Sequence, residues 1–193
     1  MIGYNNIVKY KNTEFNDYLK LPGLSHSSLK AEINSVIPDL TMTDNIRLGS
    51  LVDKILTEPH NVRMNDPLYP AARNIANEIN KVFGEILSQM DKQVNYLADV
   101  TFCDFTMKTK GRLDFLLPKQ AVIDLKITKE KNIPALIAFM GYGNQLWHYA
   151  KMANVKKGYL MVYSVPRKLT EIHYVDCSSE HNEFWASKII KFG

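Results

Sequence analysis

The stretch KGRLDFLLPKQAVIDLKIT, residues 110–128, decides the predicted fold, because its pattern is typical of two strands joined by a tight loop. With Pro118, Lys119 and Gln120 in the loop, the numbers of opposed residues sum to 238. This register places Asp114 opposite Asp124, and Arg112 opposite Lys126. Directly opposed residues have Cβ atoms about 4.5–5.5 Å apart, so the two carboxylates repel each other unless a cation lies between them.

The three charged side chains of this hairpin are suited to phosphodiester chemistry. Asp124 and Lys126 are two residues apart on one strand and therefore share a face. Asp114 and Asp124 offer hard oxygen ligands for Mg²⁺ or Mn²⁺, which polarise a phosphodiester and lower the pKa of a bound water. Lys126 is suited to orient that water and to stabilise the extra negative charge of the transition state. The alternative is a structural Asp–Lys pair on an edge strand, since short motifs also occur by chance.

The rest of the chain predicts an α/β domain with a mixed central sheet flanked by helices and an N-terminal helical extension. One domain spans 1–193, with 1–93 mainly helical, 94–178 as the catalytic sheet core and 179–193 as a closing helix. Hydrophobic spacing and turn residues predict helices over 24–33 (capped by Ser25 or Ser27), 44–57, 71–90, 134–153 (interrupted at Gly141 and Gly143) and 181–191, and strands over 96–106, 108–117, 121–127, 158–164 and 171–177.

Composition excludes several classes of protein. The 193 residues are 46% hydrophobic, which is enough for a core without disulfides. Cys103 and Cys177 are far apart in sequence, so thiolates cannot build a zinc or iron–sulfur site. No signal peptide and no run of about 18 apolar residues is present, which indicates a cytoplasmic protein with no membrane partner.

Positive charge is concentrated in one third of the chain. The net charge is +4, yet residues 105–168 contain twelve basic and three acidic side chains. Such a surface is typical of proteins that face polyphosphates. We expect DNA contacts from four cations of this segment, namely Lys108, Lys110, Arg112 and Lys131. The alternative is a solvated lysine face.

GRLD (111–114) followed by IDLK (123–126) resembles the core of the PD-(D/E)xK nucleases. Gln145 and Tyr149 match the QxxxY element of the branch that contains RecB-type and phage recombination nucleases. They share a helix face with Tyr142, and core packing is the alternative for all three. The segments LSHSSLK (24–30) and RLGSLVDKILTEP (47–59) are similar to the N-terminal part of exonuclease VIII-type proteins. That family commonly has a histidine where this chain has Asp53.

The resemblance implies a restriction-endonuclease-like core in which Asp114, Asp124 and Lys126 are catalytic. It implies a metal held by Asp114, Asp124 and the backbone carbonyl of Leu125. Asp53 is either a further metal-site residue or a helix-surface residue. Gln145 and Tyr149 have supporting roles, and Tyr142 contacts DNA.

The activity implied is Mg²⁺- or Mn²⁺-dependent exonuclease cleavage of linear double-stranded DNA in phage or prophage recombination or repair. A homo-oligomer, a single-strand annealing partner and the cytoplasm of a bacterial or phage-infected host cell are implied as well. The alternatives are an endonuclease of the same superfamily and a non-catalytic protein that binds DNA ends.

Overall fold

A mixed β-sheet runs through the computed structural model, which describes residues 2–10, 14–28, 43–102 and 104–178. Seven strands belong to the sheet within these ranges. They are β1 (Ile2–Tyr10), β2 (Leu24–Ser25), β3 (Asp91–Phe102), β4 (Phe105–Leu117), β5 (Ala121–Thr128), β6 (Lys157–Ser164) and β7 (Leu169–Asp176). The spatial order is β1-β3-β4-β5-β6-β7, and β2 pairs with β4. The β2–β4 and β5–β6 pairs are parallel and the others are antiparallel.

Helices cover both faces of the sheet. They are α1 (Phe15–Lys20), α2 (Asp44–Thr57), α3 (Tyr69–Ser88), α4 (Ile133–Met140) and α5 (Tyr142–Ala153), with a 3-10 turn at Pro59–Asn61. On one face, α2 and α3 pack with Ile123 and Leu125 of β5. On the other face, α5 packs with Val122 of β5 and Leu160 of β6. Neighbouring residues of a strand point to opposite faces, so the apolar run of β5 serves both cores. The predicted α/β class and the flanked mixed sheet are confirmed.

The predicted hairpin forms in the expected register. Phe115 pairs with Ile123 and Leu117 pairs with Ala121. The three-residue loop contains Lys119 in the left-handed conformation, with φ of +63°. The ladder ends at the Phe115–Ile123 pair, so the predictions that Asp114 pairs with Asp124 and that Arg112 pairs with Lys126 are wrong.

Beyond that pair, β2 occupies the edge of β4 that β5 has left, through Leu24–Thr109 and Ser25–Lys110. A strand edge has room for one neighbour, so β4 and β5 diverge at this point. The next positions of the same register are Asp114 and Asp124. The separation of β4 and β5 therefore opens a cleft at the two predicted catalytic carboxylates.

Several element boundaries differ from the prediction. The predicted helix over 44–57 is observed as α2, and the helix over 134–153 is split at Gly141, where φ is +66°. The segment 24–33 begins as β2, and Ser25 Oγ accepts a hydrogen bond from the amide of Ser28 at 3.1 Å. The strand β1 and the helix α1 were not predicted, and β3 begins before residue 94. Residues 26–28 of the predicted helix over 24–33 are helical, whereas residues 29–33 and the closing helix over 181–191 lie outside the described residues.

None of the helices in the described ranges is long and apolar enough to cross a membrane.

Gly111 allows α5 to approach β4 closely. A Cβ added at Gly111 would lie 3.0 Å from both Tyr149 Cε1 and Met152 Sδ, whereas one added at Gly143 would meet nothing within 4 Å. We expect Gly111→Ala to destabilise the protein by about 1–3 kcal/mol through overpacking. Gly143→Ala, in a helix with free space, should be neutral or stabilising by about 0.5 kcal/mol. Urea unfolding of both variants measures this difference, and equal stabilities would contradict it.

Candidate active site

Asp114 lies in the cleft, just past the last residue pair that joins β4 to β5. Its Oδ2 accepts a hydrogen bond from the backbone amide of Leu125 at 2.8 Å, across the point where the strands diverge. The N–H and C=O of a residue in an extended strand point to the same edge. The carbonyl of Leu125 therefore also faces the β4 side, where Asp114 lies.

Asp124 and Lys126 form a buried ion pair on β5. Lys126 Nζ is 2.5 Å from Asp124 Oδ2. Asp124 is only 2% exposed. Its Oδ2 has the ammonium beside it but no hydrogen-bond partner among the described residues. The same ammonium lies 5.2 Å from the centre of the Tyr142 ring. A buried carboxylate oxygen without a hydrogen bond is costly unless a cation compensates it.

Asp53 of α2 faces this site and is not a solvated surface residue. Its two carboxylate oxygens accept hydrogen bonds from Gln93 Nε2 at 3.0 and 2.9 Å. Burial raises the pKa of Asp53 to about 6, while Arg112, the Gln93 hydrogen bond and Lys126 act to lower it. The charge of Asp53 also contributes to the raised pKa of Asp114. The structure thus brings Asp53 into electrostatic contact with the predicted catalytic residues.

The carboxylates of Asp53 and Asp124 are close enough to Asp114 for their charges to affect its pKa. Burial raises the pKa of Asp114 well above its usual value, and the charges of Asp53 and Asp124 raise it further. Burial acts to lower the pKa of Lys126, but Asp124 and Asp114 outweigh it and raise this pKa. Three acidic groups share Lys126 and Arg112, and Arg112 is also paired with Glu58, so an additional positive charge would relieve the repulsion.

The donor chemistry fits a divalent cation of the hard type. Within residues 2–10, 14–28, 43–102 and 104–178, no group of three or more His, Cys, Asp or Glu is arranged to hold a metal ion. The donors that the cleft provides are the carboxylates of Asp114 and Asp124 and the backbone carbonyl of Leu125. Oxygen ligands of this kind are those that Mg²⁺ and Mn²⁺ prefer. Asp114 and Asp124 bring more negative charge to the cleft than Lys126 neutralises, and such an ion would compensate the excess.

The helix α5 contributes the predicted Tyr and Gln side chains to the same region. Gln145 Nε2 donates a hydrogen bond to the hydroxyl of Tyr149 at 2.9 Å. Tyr149 is buried against Gly111, and burial together with the charge of Asp124 raises its pKa. Tyr142 is half-buried over the ammonium of Lys126. Tyr142 therefore lies beside the ion pair, and Tyr149 is close enough for the charge of Asp124 to act on it.

The predicted DNA-binding cations occupy different environments. Lys110 Nζ donates hydrogen bonds to the carbonyls of Leu19 and Leu21 at 2.9 and 2.8 Å. Arg112, which is 11% exposed in its side chain, forms an ion pair with Glu58 at 2.7 Å. Lys110 and Arg112 thus form contacts within the protein, and the proposed DNA surface does not include them.

The other two predicted DNA-binding cations are more accessible. Lys108 pairs with Asp99 at 3.1 Å and is largely exposed. Lys131 is exposed at the start of α4.

Sequence reasoning missed Gln93, which contacts Asp53 and accepts a hydrogen bond from Arg112 Nε at 2.5 Å. Gln93 lies in β3, and no spacing links it to the GRLD or IDLK segments. Glu58 forms an ion pair with Arg112, which is a contact within the protein. His148 is fully buried between Tyr4 and Thr109, and burial lowers its pKa to about 3. It is a neutral core residue.

A cavity of about 660 Å³ lies away from the carboxylates. It is lined mainly by apolar residues of α3 and the sheet, such as Phe83, Ile86, Tyr159, Met161 and Ile172. No acidic, histidine or cysteine side chain lines it, so it provides no carboxylate, imidazole or thiolate ligand for a metal ion.

The raised pKa of Asp53 predicts how stability depends on pH in EDTA. A carboxyl group with a raised pKa in the folded state favours folding when protonated, so its contribution is lost as pH rises. We expect wild type to lose stability relative to Asp53→Asn as pH rises from about 4 through about 6. Urea unfolding of both proteins at several pH values measures this. A constant difference between them across that window would contradict the prediction.

No protein-family model matches this chain, and no curated protein matches it. Solved structures resemble it at low identity. SSO0001 is 14% identical over 94% of this chain and 86% of that chain, with a TM-score of 0.46. A protein from Eubacterium rectale described as a "putative exonuclease" is 16% identical over 91% of this chain and 71% of that chain, with a TM-score of 0.49. Rai1 from Scheffersomyces stipitis is 11% identical over 52% of this chain and 33% of that chain, with a TM-score of 0.34. Because these scores are low, the functional argument rests on the site itself.

Proposed function

We propose that this protein is a metal-dependent DNA nuclease and that Asp114, Asp124 and Lys126 form its active site. One observation carries the proposal. The carboxylates of Asp114 and Asp124 and the ammonium of Lys126 meet where β4 and β5 separate, with Asp124 only 2% exposed and Lys126 Nζ 2.5 Å from its Oδ2. Crowded carboxylates with perturbed pKa values in a cleft are typical of catalytic sites.

Each residue has a distinct role in this proposal. Asp114, Asp124 and the carbonyl of Leu125 hold Mg²⁺ or Mn²⁺, with Asp53 as a further metal-site residue. When bound, the ion polarises the scissile phosphate and makes a bound water more acidic. Lys126 orients the attacking water and stabilises the negative charge of the transition state. Tyr142, Gln145 and Tyr149 form the wall that supports the phosphate backbone.

The substrate that we propose is linear double-stranded DNA, attacked at its ends in phage or prophage recombination or repair. This follows the resemblance of residues 24–59 and 111–149 to exonuclease VIII-type enzymes. A single-strand annealing protein as partner, a homo-oligomer and a cytoplasmic location belong to the same proposal. An endonuclease of the same superfamily and a non-catalytic end-binding protein are the competing functions.

An assay on end-labelled linear DNA and on closed circular DNA, with Mg²⁺, Mn²⁺ or EDTA, separates these functions. The proposed exonuclease degrades linear DNA only and is inactive in EDTA. An endonuclease also cuts the closed circle. A folded protein that binds duplex ends but degrades neither substrate with either metal would overturn the enzymatic proposal.

Lys131 should contribute to DNA affinity, whereas Lys110 should contribute to folding. Neutralising a phosphate releases a counterion, so Lys131→Ala should weaken binding equally across DNA sequences and reduce the salt slope by about 1. Lys110→Ala removes hydrogen bonds to the end of α1 and should lower the melting temperature. Fluorescence anisotropy at several salt concentrations tests the first result. Unchanged affinity and slope for Lys131→Ala would contradict it.

A further inference from the structure

We infer that Gln93 is a positioning residue that holds the Asp53 carboxylate toward the metal site, and that Arg112 fixes the orientation of the Gln93 amide. The inference rests on the proposed function, because it assigns Asp53 a role in binding the metal. It adds a residue that neither the sequence pattern nor the resemblance identifies.

The hydrogen bonds of Gln93 determine which way its amide points. Its Oε1 accepts from Arg112 Nε at 2.5 Å, and its Nε2 donates to both oxygens of Asp53 and to Thr57 Oγ1, the last at 3.1 Å. An arginine has donors only, so the amide oxygen must face Arg112. The amide nitrogen is consequently presented to Asp53. No other assignment of the two amide atoms satisfies both neighbours.

Arg112 is itself held in place. Its Nη2 donates to Glu58 Oε1 at 2.7 Å, and its guanidinium lies 5.4 Å from the centre of the Phe15 ring. A relay of contacts therefore runs from Glu58 through Arg112 and Gln93 to Asp53. Every member lies at the junction of α2 with β3 and β4, which are rigid elements. Hydrogen bonds of this kind orient a metal-site carboxylate and tune its affinity.

The backbone of Gln93 points to the same role. Its φ is +49°, a left-handed conformation that is unfavourable for a residue other than glycine. The β3–β4 register, with Lys92 opposite Phe115 and Val94 opposite Leu113, places Gln93 across from Asp114. Non-glycine residues in this conformation occur often at functional sites, where the surrounding structure maintains the strain.

The neutral charge of glutamine matters for the chemistry. A lysine at this position would neutralise Asp53 and compete with a cation for its oxygens. An amide fixes the position of the carboxylate and leaves its negative charge available. Gln93 is 7% exposed, so water does not replace its hydrogen bonds.

Two variants distinguish the effect of losing the Gln93 amide from the effect of disturbing the structure around it. Gln93→Leu keeps most of the side-chain volume, and Gln93→Gly relieves the left-handed backbone and is expected to fold. We expect both to raise the Mn²⁺ dissociation constant, measured by calorimetry without DNA, about 10- to 100-fold. Cleavage should require correspondingly more Mn²⁺ and approach the wild-type rate at saturation. Gln89→Leu, at an exposed position, should match wild type.

A double-mutant cycle with Asp53→Asn provides the decisive comparison. If Gln93 acts through Asp53, then Gln93→Gly in the Asp53→Asn background should cause no further loss of Mn²⁺ affinity. Additive losses, an unchanged dissociation constant, or a loss confined to Gln93→Leu would each overturn the inference. A wild type that binds no Mn²⁺ and cuts no DNA would overturn the proposed function as well. If the wild type binds Mn²⁺ and cuts DNA, and the Gln93 variants bind Mn²⁺ equally well, this inference alone is overturned.

Discussion

Asp114→Asn should reduce DNA cleavage by about 10³-fold or more while leaving DNA binding intact or tighter. The substitution removes a carboxylate ligand for the metal, and a loss of about 4 kcal/mol of transition-state stabilisation corresponds to that factor. It also removes an anion from a cleft that faces phosphate, which reduces repulsion. Cleavage of labelled duplex DNA and anisotropy in Ca²⁺ or EDTA measure the two effects separately.

Asp104→Asn is the matched control, because Asp104 is an exposed aspartate in the turn between β3 and β4. Its cleavage and binding should equal those of wild type. The Asp114 variant should also be at least as stable as wild type without metal, since its buried charge is disfavoured in the folded state. A variant that retains cleavage within tenfold of wild type would remove Asp114 from the active site.

Lys126→Met should stop cleavage and should also destabilise the protein by about 3–5 kcal/mol. The cost arises because Asp124 is left as a buried carboxylate without its cation. DNA binding should weaken modestly, since one positive charge near the phosphate is lost. Thermal unfolding, cleavage and anisotropy measure the three effects.

The double variant Asp124→Asn/Lys126→Met tests the origin of that cost. It removes both charges, so stability should recover while cleavage remains absent. Lys129→Met, at an exposed position just after β5, should be neutral for stability and cleavage. If the single and the double variant are equally unstable, the buried ion pair is not the cause.

Local patterns were sufficient to predict the hairpin and its carboxylates. The loop at residues 118–120 fixed the register, since opposed positions follow from the loop length alone. Alternating and continuous apolar runs identified β4, β5 and β6, and the apolar stripe of α2 gave its observed bounds. These features depend on residues that are close together in sequence, where periodicity is informative.

The elements that the sequence did not predict depend on partners far along the chain. The strand β1 contains Asn5 and Asn6, has several exposed side chains, and is stabilised by pairing with β3. Gln93 acquires its role only when α2 and β4 bring Asp53 and Arg112 to it. Tertiary contacts of this kind leave no local sequence pattern, because each partner taken alone is an ordinary polar residue.

The pairing of β1 with β3 has a consequence for synthesis in the cell. Residue 4 pairs with residue 100, whereas the β4–β5 hairpin joins residues only a few positions apart. A hairpin forms in roughly 1–10 μs once its residues have been synthesised. Translation proceeds at roughly 5–20 residues per second, so β1 waits roughly 5–20 s for its partner strand to emerge. During that interval the nascent chain carries an unpaired strand, whose backbone donors and acceptors are satisfied by water.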